Sequence, residues 1–275
     1  MSRIEEALEK AALLRSNEKT DVIVRKTAAV AAQVQPQSLS PKATINVNPL
    51  IITVSDPQTP AAEEYRKLKS MLVKFTKGEH FMNTLMVTSS IASEGKSITA
   101  LNLAISLAQE YDHTVLLVDA DLRKPSIHQY LGLQVKVGLG ECLMDGIDVG
   151  DALIKTGIGK LTLLPQGKTV RNPAELFSSK RMKELVKELK HRYPDRYIII
   201  DAPPVLPFAE TRTISSIVDG IIFVVKEGAA SINDVHDALA ALKGTNILGI
   251  VYNDACIDGI KDHYNYYYQA NAEKW

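Results

Sequence analysis

The chain has 275 residues, 45% of them apolar and 23% charged, and its 32 basic and 32 acidic side chains give a formal charge of zero. Such a composition describes a globular core and excludes a fibrous, wholly disordered or membrane-spanning chain. Neutrality removes any global pull toward nucleic acid or anionic lipid, and the two cysteines, Cys142 and Cys256, offer neither a zinc pattern nor a disulfide framework.

A reducing cytoplasm is therefore the expected compartment. The first residues, Met1-Ser-Arg-Ile-Glu-Glu, put acids where a signal peptide needs a basic and then an apolar stretch. No run approaches the roughly 18 apolar residues of a membrane span, so the chain is expected neither to be exported nor to cross a membrane by itself. Ile4, Ala7, Leu8, Ala11 and Leu14 recur at helical spacing and predict a short amphipathic helix over residues 2–15, within an N-terminal region 1–27. A helix that short is marginal alone. Docking on its own domain and docking on a partner are equal readings of it.

Residues 28–60 hold five of the twelve prolines, no glycine and only two charges, Lys42 and Asp56, and read as an extended linker. Ala62, Tyr65, Leu68, Leu72 and Phe75 then mark a helix over 61–77, closed by Gly78. From there strands and helices alternate through a domain expected to run from 61 to 254. The strands are predicted at Leu85–Thr88, Thr114–Asp119, Leu161–Leu164, Tyr197–Asp201, Gly220–Val225 and Ile247–Val251, and the helices at 96–110, 173–192, 208–217 and 231–243. The strands are short β-branched runs with little alternation, as expected where both faces are covered. The expected fold is α/β: a mostly parallel sheet with helices on both faces.

Between the first strand and its helix lies Ser90-Ile-Ala-Ser-Glu-Gly95-Lys96-Ser97, which fits G-x-x-x-x-G-K-[ST] except for serine at the first position. In a strand–loop–helix setting this is a P-loop: backbone N–H groups and the helix N-terminus face the phosphates, Gly95 permits close approach, and Lys96 reaches the β and γ oxygens. Ser97 is then a ligand of Mg²⁺. The second strand ends in Asp119-Ala-Asp121-Leu-Arg123-Lys124-Pro125, and Asp119 and Asp121, two apart, share one side of the strand end. One of them can polarise an incoming hydroxyl while the other helps to hold hydrated metal. Tyr197-Ile-Ile-Ile-Asp201 is a hydrophobic strand ending in one acid, a Walker B pattern whose carboxylate binds Mg²⁺ through water. All three motifs fall at the carboxyl edge of the sheet, where open α/β sheets bind ligands.

After the last strand, residues 255–275 lack any helical or alternating pattern and are expected to form a disordered tail. Four of the ten tyrosines lie there, at Tyr264, Tyr266, Tyr267 and Tyr268.

Residues 55–254 resemble the cytoplasmic kinase domain of the bacterial protein-tyrosine kinases that accompany capsule and exopolysaccharide assembly. The resemblance rests on the P-loop at 90–97, Val118-Asp-Ala-Asp-Leu-Arg-Lys-Pro125, Leu163-Leu-Pro-Gln-Gly167 with Asn172-Pro-Ala-Glu-Leu, Ile200-Asp-Ala-Pro-Pro, and the tyrosine cluster. The N-terminal arm is similar to that of the free-standing kinases of exosortase-associated loci. The resemblance implies a P-loop NTPase fold and ATP-dependent phosphorylation of tyrosine, first of the tail tyrosines of a neighbouring subunit, with a role in exopolysaccharide synthesis and export. It implies ATP and Mg²⁺ as cofactors, with Ser93, Glu94, Gly95, Lys96, Ser97, Ile98 and Arg123 around the nucleotide. Ser97, Asp119 and Asp201 fall to the metal, and Asp119 and Asp121 to the metal and the tyrosine hydroxyl.

It also implies a ring-shaped homo-oligomer, a membrane-embedded polysaccharide co-polymerase or chain-length regulator that recruits the kinase to the inner face of the plasma membrane, and a tyrosine phosphatase; nucleic acid is not among the expected partners. The family's E-x-x-R-x-x-R interface helix corresponds to Glu63, Arg66 and Lys69, where lysine replaces the last arginine and cannot fork onto a carboxylate. The P-loop carries Ala92-Ser93 where many relatives have Pro-Gly. Partitioning and division-site ATPases share the fold and two of the motifs and are the competing reading, as a nucleotide switch or scaffold without kinase activity. They carry a lysine right after the first P-loop position, which is Ile91 here.

Overall fold

The computed structural model describes residues 48–78, 80–110, 112–192 and 195–256; the helix expected at 2–15, the linker through residue 47 and the four tail tyrosines lie outside the described residues. The described chain opens with a single helical turn, α1 (Ile52–Ser55), followed by α2 (Pro60–Thr76), β1 (Thr84–Ser89) and α3 (Lys96–Ala108). Then come β2 (Thr114–Asp119), α4 (Ile127–Tyr130), α5 (Leu139–Met144), α6 (Val149–Ala152), β3 (Ile154–Lys155) and β4 (Leu161–Leu164). The last part runs α7 (Pro173–Ser178), α8 (Lys180–Arg192), β5 (Arg196–Asp201), α9 (Glu210–Ser215), β6 (Gly220–Lys226), α10 (Ile232–Ala241) and β7 (Ile247–Asn253).

The strands form one seven-stranded sheet in the order β3-β4-β2-β5-β1-β6-β7, parallel throughout except for the short β3. Successive strand residues feed two apolar clusters. Leu116, Val118, Ile198 and Ile200 pack with Phe177, Met182, Leu185 and Ile214, whereas Val115, Leu117, Tyr197 and Ile199 pack with Ile51, Leu101 and Ile105. Side chains alternate across a strand, so the two clusters are the two faces of the sheet, each roofed by helices. The near-continuous apolar strands of the sequence follow from this double cover. No helix among the described residues is long and apolar enough to cross a membrane.

Several expectations need correction. The C-terminal end of the stretch read as linker belongs to the domain: Ile51 is fully buried and α1 lies against α3. The tie is Asn102, fully buried in α3, whose Oδ1 accepts from the Thr53 N–H (3.1 Å) and hydroxyl (2.9 Å) and whose Nδ2 donates to the carbonyls of Leu50 and Ile98 (3.0 Å each). A proline-rich, uncharged composition marks irregular backbone, and irregular backbone packs once a buried amide satisfies its polar groups. Helix 173–192 is two helices, because Ser179 is extended and its hydroxyl accepts from the Met182 N–H, capping α8. Helix 208–217 shortens to α9, and α2 begins one residue early, capped by Thr59 with Pro60 at its first position. It ends at Thr76, where Lys77 turns to an extended conformation.

Asn102→Ala leaves the buried N–H and hydroxyl of Thr53 without their acceptor and removes the part-buried bond to the Leu50 carbonyl, and should lower stability by roughly 2–3 kcal/mol. Urea unfolding of the two proteins checks this, and an equal midpoint would show that residues 48–55 do not contribute to the cooperative unit.

Candidate nucleotide and phosphoryl-transfer site

The site is assembled by strand register. In the parallel sheet Asp119, the last residue of β2, is paired with Asp201, the last of β5, and Asp201 is in turn level with Val87 of β1. The β1 chain continues into the loop 90–95, so the two acids lie beside the loop that precedes α3. Ser90 stands where the motif usually has glycine, and its φ is not positive, so no glycine is required there. The left-handed turns fall later, at Ser93 (φ 68°) and Gly95 (φ 87°). A Cβ on Gly95 would lie 2.2 Å from Nδ2 of Asn253, so both conformation and space demand glycine.

Lys96, the first residue of α3, is buried. Its Nζ donates to Asp121 Oδ2 at 2.8 Å and to Ser97 Oγ at 3.2 Å, and lies 3.7 Å from Asp201 Oδ1. Burial alone would lower its pKa, but the charges of Asp201 and Asp121 outweigh burial and hold the ammonium above its ordinary value. Asp121 is fixed from its other oxygen by the N–H groups of Arg123 (3.3 Å) and Lys124 (3.0 Å). Asp119 is fully buried and accepts one bond, from the Ile127 N–H at 3.3 Å. Burial, with Asp201 beside it, pushes Asp119 up to about 8. Burial also raises Asp201, against the opposing charge of Lys96.

Oxygen Oδ1 of Asp119 and both carboxylate oxygens of Asp201 are buried without a hydrogen-bond donor. Buried carboxylate oxygens lacking donors are what a hydrated cation or an incoming hydroxyl satisfies. Among the described residues no three His, Cys, Asp or Glu side chains are arranged to hold a metal by themselves. A magnesium ion here would have to draw on Ser97, the acids, nucleotide phosphates and water, and this hard-oxygen donor set fits its chemistry.

The structure thus brings Lys96, Ser97, Asp119, Asp121 and Asp201 together at one edge, with Ser93, Glu94 and Gly95 forming the adjoining loop and Ile98 in the first turn of α3. Arg123 is directed elsewhere. Its Nε donates to Glu210 Oε1 at 2.6 Å and its guanidinium stacks on Phe208, 4.4 Å from the ring centroid. Glu210 is buried and its second oxygen has no partner. Sequence reasoning missed Glu210, Phe208 and Asn253, because each comes from a segment that follows a motif or ends a strand and carries no pattern of its own.

The charges that correspond to the family's intersubunit motif are already engaged within the chain. Arg66 bonds Glu63 at 2.5 Å, and Lys69, with only 19% of its side chain exposed, bonds Glu110 at 2.8 Å. Besides the exposed polar side chains of Glu64, Lys67, Ser70 and Lys74, α2 leaves two large apolar ones exposed, Met71 and Phe75.

Comparison with known proteins agrees with this fold. The ParA family, described as NUBPL iron-transfer P-loop NTPase, matches residues 80–274. The chain is 35% identical over 206 residues to the tyrosine-protein kinase YwqD of Bacillus subtilis (strain 168), covering 74% of this chain and 85% of that one. Among solved structures, the chimerical protein CapA2B2 superposes with a TM-score of 0.70 at 28% identity, covering 77% of this chain and 93% of that one. The kinase domain of the Escherichia coli tyrosine kinase ETK gives 0.68 at 27% identity, covering 75% and 82%.

The raised Asp119 makes stability depend on pH. The unfolded carboxyl ionises near 4 and the folded one at about 8. Its contribution is therefore fully present below about pH 4 and is lost as pH rises to about 8. Asp119→Asn should flatten this loss, so that its advantage in unfolding midpoint over the nucleotide-free wild type grows from pH 5 to 8. Parallel pH profiles would show that Asp119 ionises normally.

Proposed function

The chain belongs to the ParA family of P-loop NTPases and to the bacterial tyrosine-protein kinases, and on that premise we propose that it transfers the γ-phosphoryl group of ATP to the tyrosines of its own C-terminal cluster, Tyr264, Tyr266, Tyr267 and Tyr268, on a neighbouring copy. One observation carries this reading: a buried lysine at a helix N-terminus, ringed by Asp119, Asp121 and Asp201, with three of their oxygens lacking donors. An ordinary buried ion pair would saturate its acceptors.

In the proposed reaction Lys96 leaves Asp121 for the β and γ phosphate oxygens, which carry more charge and fill the cradle of loop N–H groups. Mg²⁺, held by Ser97 and Asp201, supplies neutralisation of the phosphate charge. Asp119 orients the tyrosine hydroxyl and accepts its proton as the oxygen attacks phosphorus. An acid raised this far is basic enough to hold the proton after transfer; it is largely protonated in the nucleotide-free protein, and a cation bound beside it would draw that proton off before transfer. Asp121, released by Lys96, steadies the metal or hydroxyl. Binding and reaction thus use the same acids that the resting lysine neutralises.

The role in the cell is proposed by kinship: control of exopolysaccharide or capsule synthesis and export, with activation by a membrane-embedded co-polymerase that draws the kinase to the inner face of the plasma membrane, and reversal by a tyrosine phosphatase. Assembly into a ring through the α2 helix requires Glu63 and Arg66 to exchange their internal pairing for an intersubunit one. Lys69 would have to leave Glu110.

Incubation of the full chain with Mg-ATP and the partner's activating segment should give phosphotyrosine confined to the tail, abolished by changing the four tail tyrosines to Phe. Lys96→Met should reduce the rate by about 10²–10³-fold, the scale of losing one preorganised electrostatic group. Phosphotyrosine absent from wild type in every oligomeric state would reject the kinase reading. Each phosphate adds nearly two negative charges, so the mass of the oligomer should fall once the tail is phosphorylated; an unchanged mass would reject repulsion as the means of disassembly.

A further inference from the structure

The P-loop is held from outside by the ends of β6 and β7, through two groups of one residue. The side chain of Glu94 is fully buried, and its carboxylate accepts from the Ile91 N–H at 2.8 Å and the Lys226 N–H at 3.4 Å. Its backbone carbonyl accepts from Nδ2 of Asn253, the last residue of β7, at 3.0 Å. Asn253 is itself fixed by its own carbonyl, which accepts from the Glu227 N–H at 3.0 Å. The amide of Asn253 also fills the space beside Gly95 that any Cβ would take.

In a trans peptide the C=O and N–H point in opposite directions. Holding the Glu94 carbonyl toward β7 therefore turns the Gly95 N–H away from β7. Gly95 precedes the first turn of α3, and its N–H is one of the donors that a phosphate at this helix N-terminus uses. A left-handed Gly95 flanked by Ser93, also left-handed, is backbone that flips readily if nothing fixes it.

We propose that Asn253 is a positioning residue for nucleotide binding: its amide fixes the 94–95 peptide so that the loop presents its N–H to phosphate before ATP arrives. This rests on the kinase reading only in that both place phosphates at the P-loop. It touches no reacting atom, so its effect should fall on nucleotide affinity rather than on transfer. Asn253→Asp keeps the size of the side chain but replaces a donor with an acceptor facing the Glu94 carbonyl, and so tests the hydrogen bond without opening a cavity. Asn253→Ala removes the donor and relaxes the space beside Gly95.

The probe is a fluorescent ADP analogue with Mg²⁺, titrated into the full chain, with thermal midpoints measured on the same samples. Asn253→Ala should weaken binding about tenfold and Asn253→Asp more than that, while the KM for ATP in tail phosphorylation rises in step and kcat at saturating ATP stays within about twofold. Tyr252→Ala, which removes an exposed side chain from the same strand, should leave affinity unchanged. Unaltered affinity in Asn253→Asp, a fall in kcat without a rise in KM, or an equal loss of affinity in Tyr252→Ala would each overturn the proposal. Because the titration needs no acceptor tyrosine, failure of the kinase reading and failure of this one are told apart.

Discussion

Everything at this site depends on one electrostatic arrangement, a single buried ammonium among three carboxylates. Lys96 bonds Asp121 and lies near Asp201, and Asp119 adjoins Asp201 across the sheet. One positive charge does not balance three negative ones in a poorly solvated edge, and the imbalance is relieved by holding a proton on Asp119, which is pushed up to about 8. The resting protein is therefore in electrostatic debt for a cation. Such a deficit favours a polyanion that arrives with a cation over a polyanion alone.

The fold exists to keep that arrangement buried and in register. Asp119 and Asp201 face each other because β2 and β5 are adjacent and parallel, and the P-loop stands beside them because β1 is the next strand across. The crossovers that a parallel sheet requires put helices over both faces, leaving the carboxyl edge as the place where polar chain ends converge. Fully buried strands such as Thr84–Ser89 supply rigidity that surface strands could not. The same geometry accounts for Glu210 and Phe208, which hold Arg123 at the rim and link the loop after β2 to the loop after β5.

What was legible in the sequence was the part set by local pattern. Ser90 to Ser97, Asp119, Asp121 and Asp201 sit at the ends of apolar runs, where the chain must leave the sheet, and all of them meet in the structure. The six main strands were legible for the same reason, since burial on both faces writes itself as continuous β-branched residues. The short antiparallel β3 was not, because two residues carry no period. The packing of Ile51 and Thr53 depends on Asn102 half a domain away in α3, and a lone asparagine in an apolar helix does not announce its partner. Lys69 entered as the last position of the family's interface motif, and its pairing with Glu110 is a tertiary contact that no local pattern carries.

The strand end that fixes the P-loop is also the end from which the tail departs. Beyond Asn253 the chain turns through Asp254, which has a positive φ of 55° and pairs with Lys226, and the Cys256 N–H donates to Glu227. Lys226 and Glu227 thus serve two clients: through backbone or side chain they hold Glu94 and Asn253 on one side and residues 254 and 256 on the other. The root of the tail and the crest of the nucleotide loop share a bracket only a few residues wide. Direct hydrogen bonds, rather than contacts through the core, join the two.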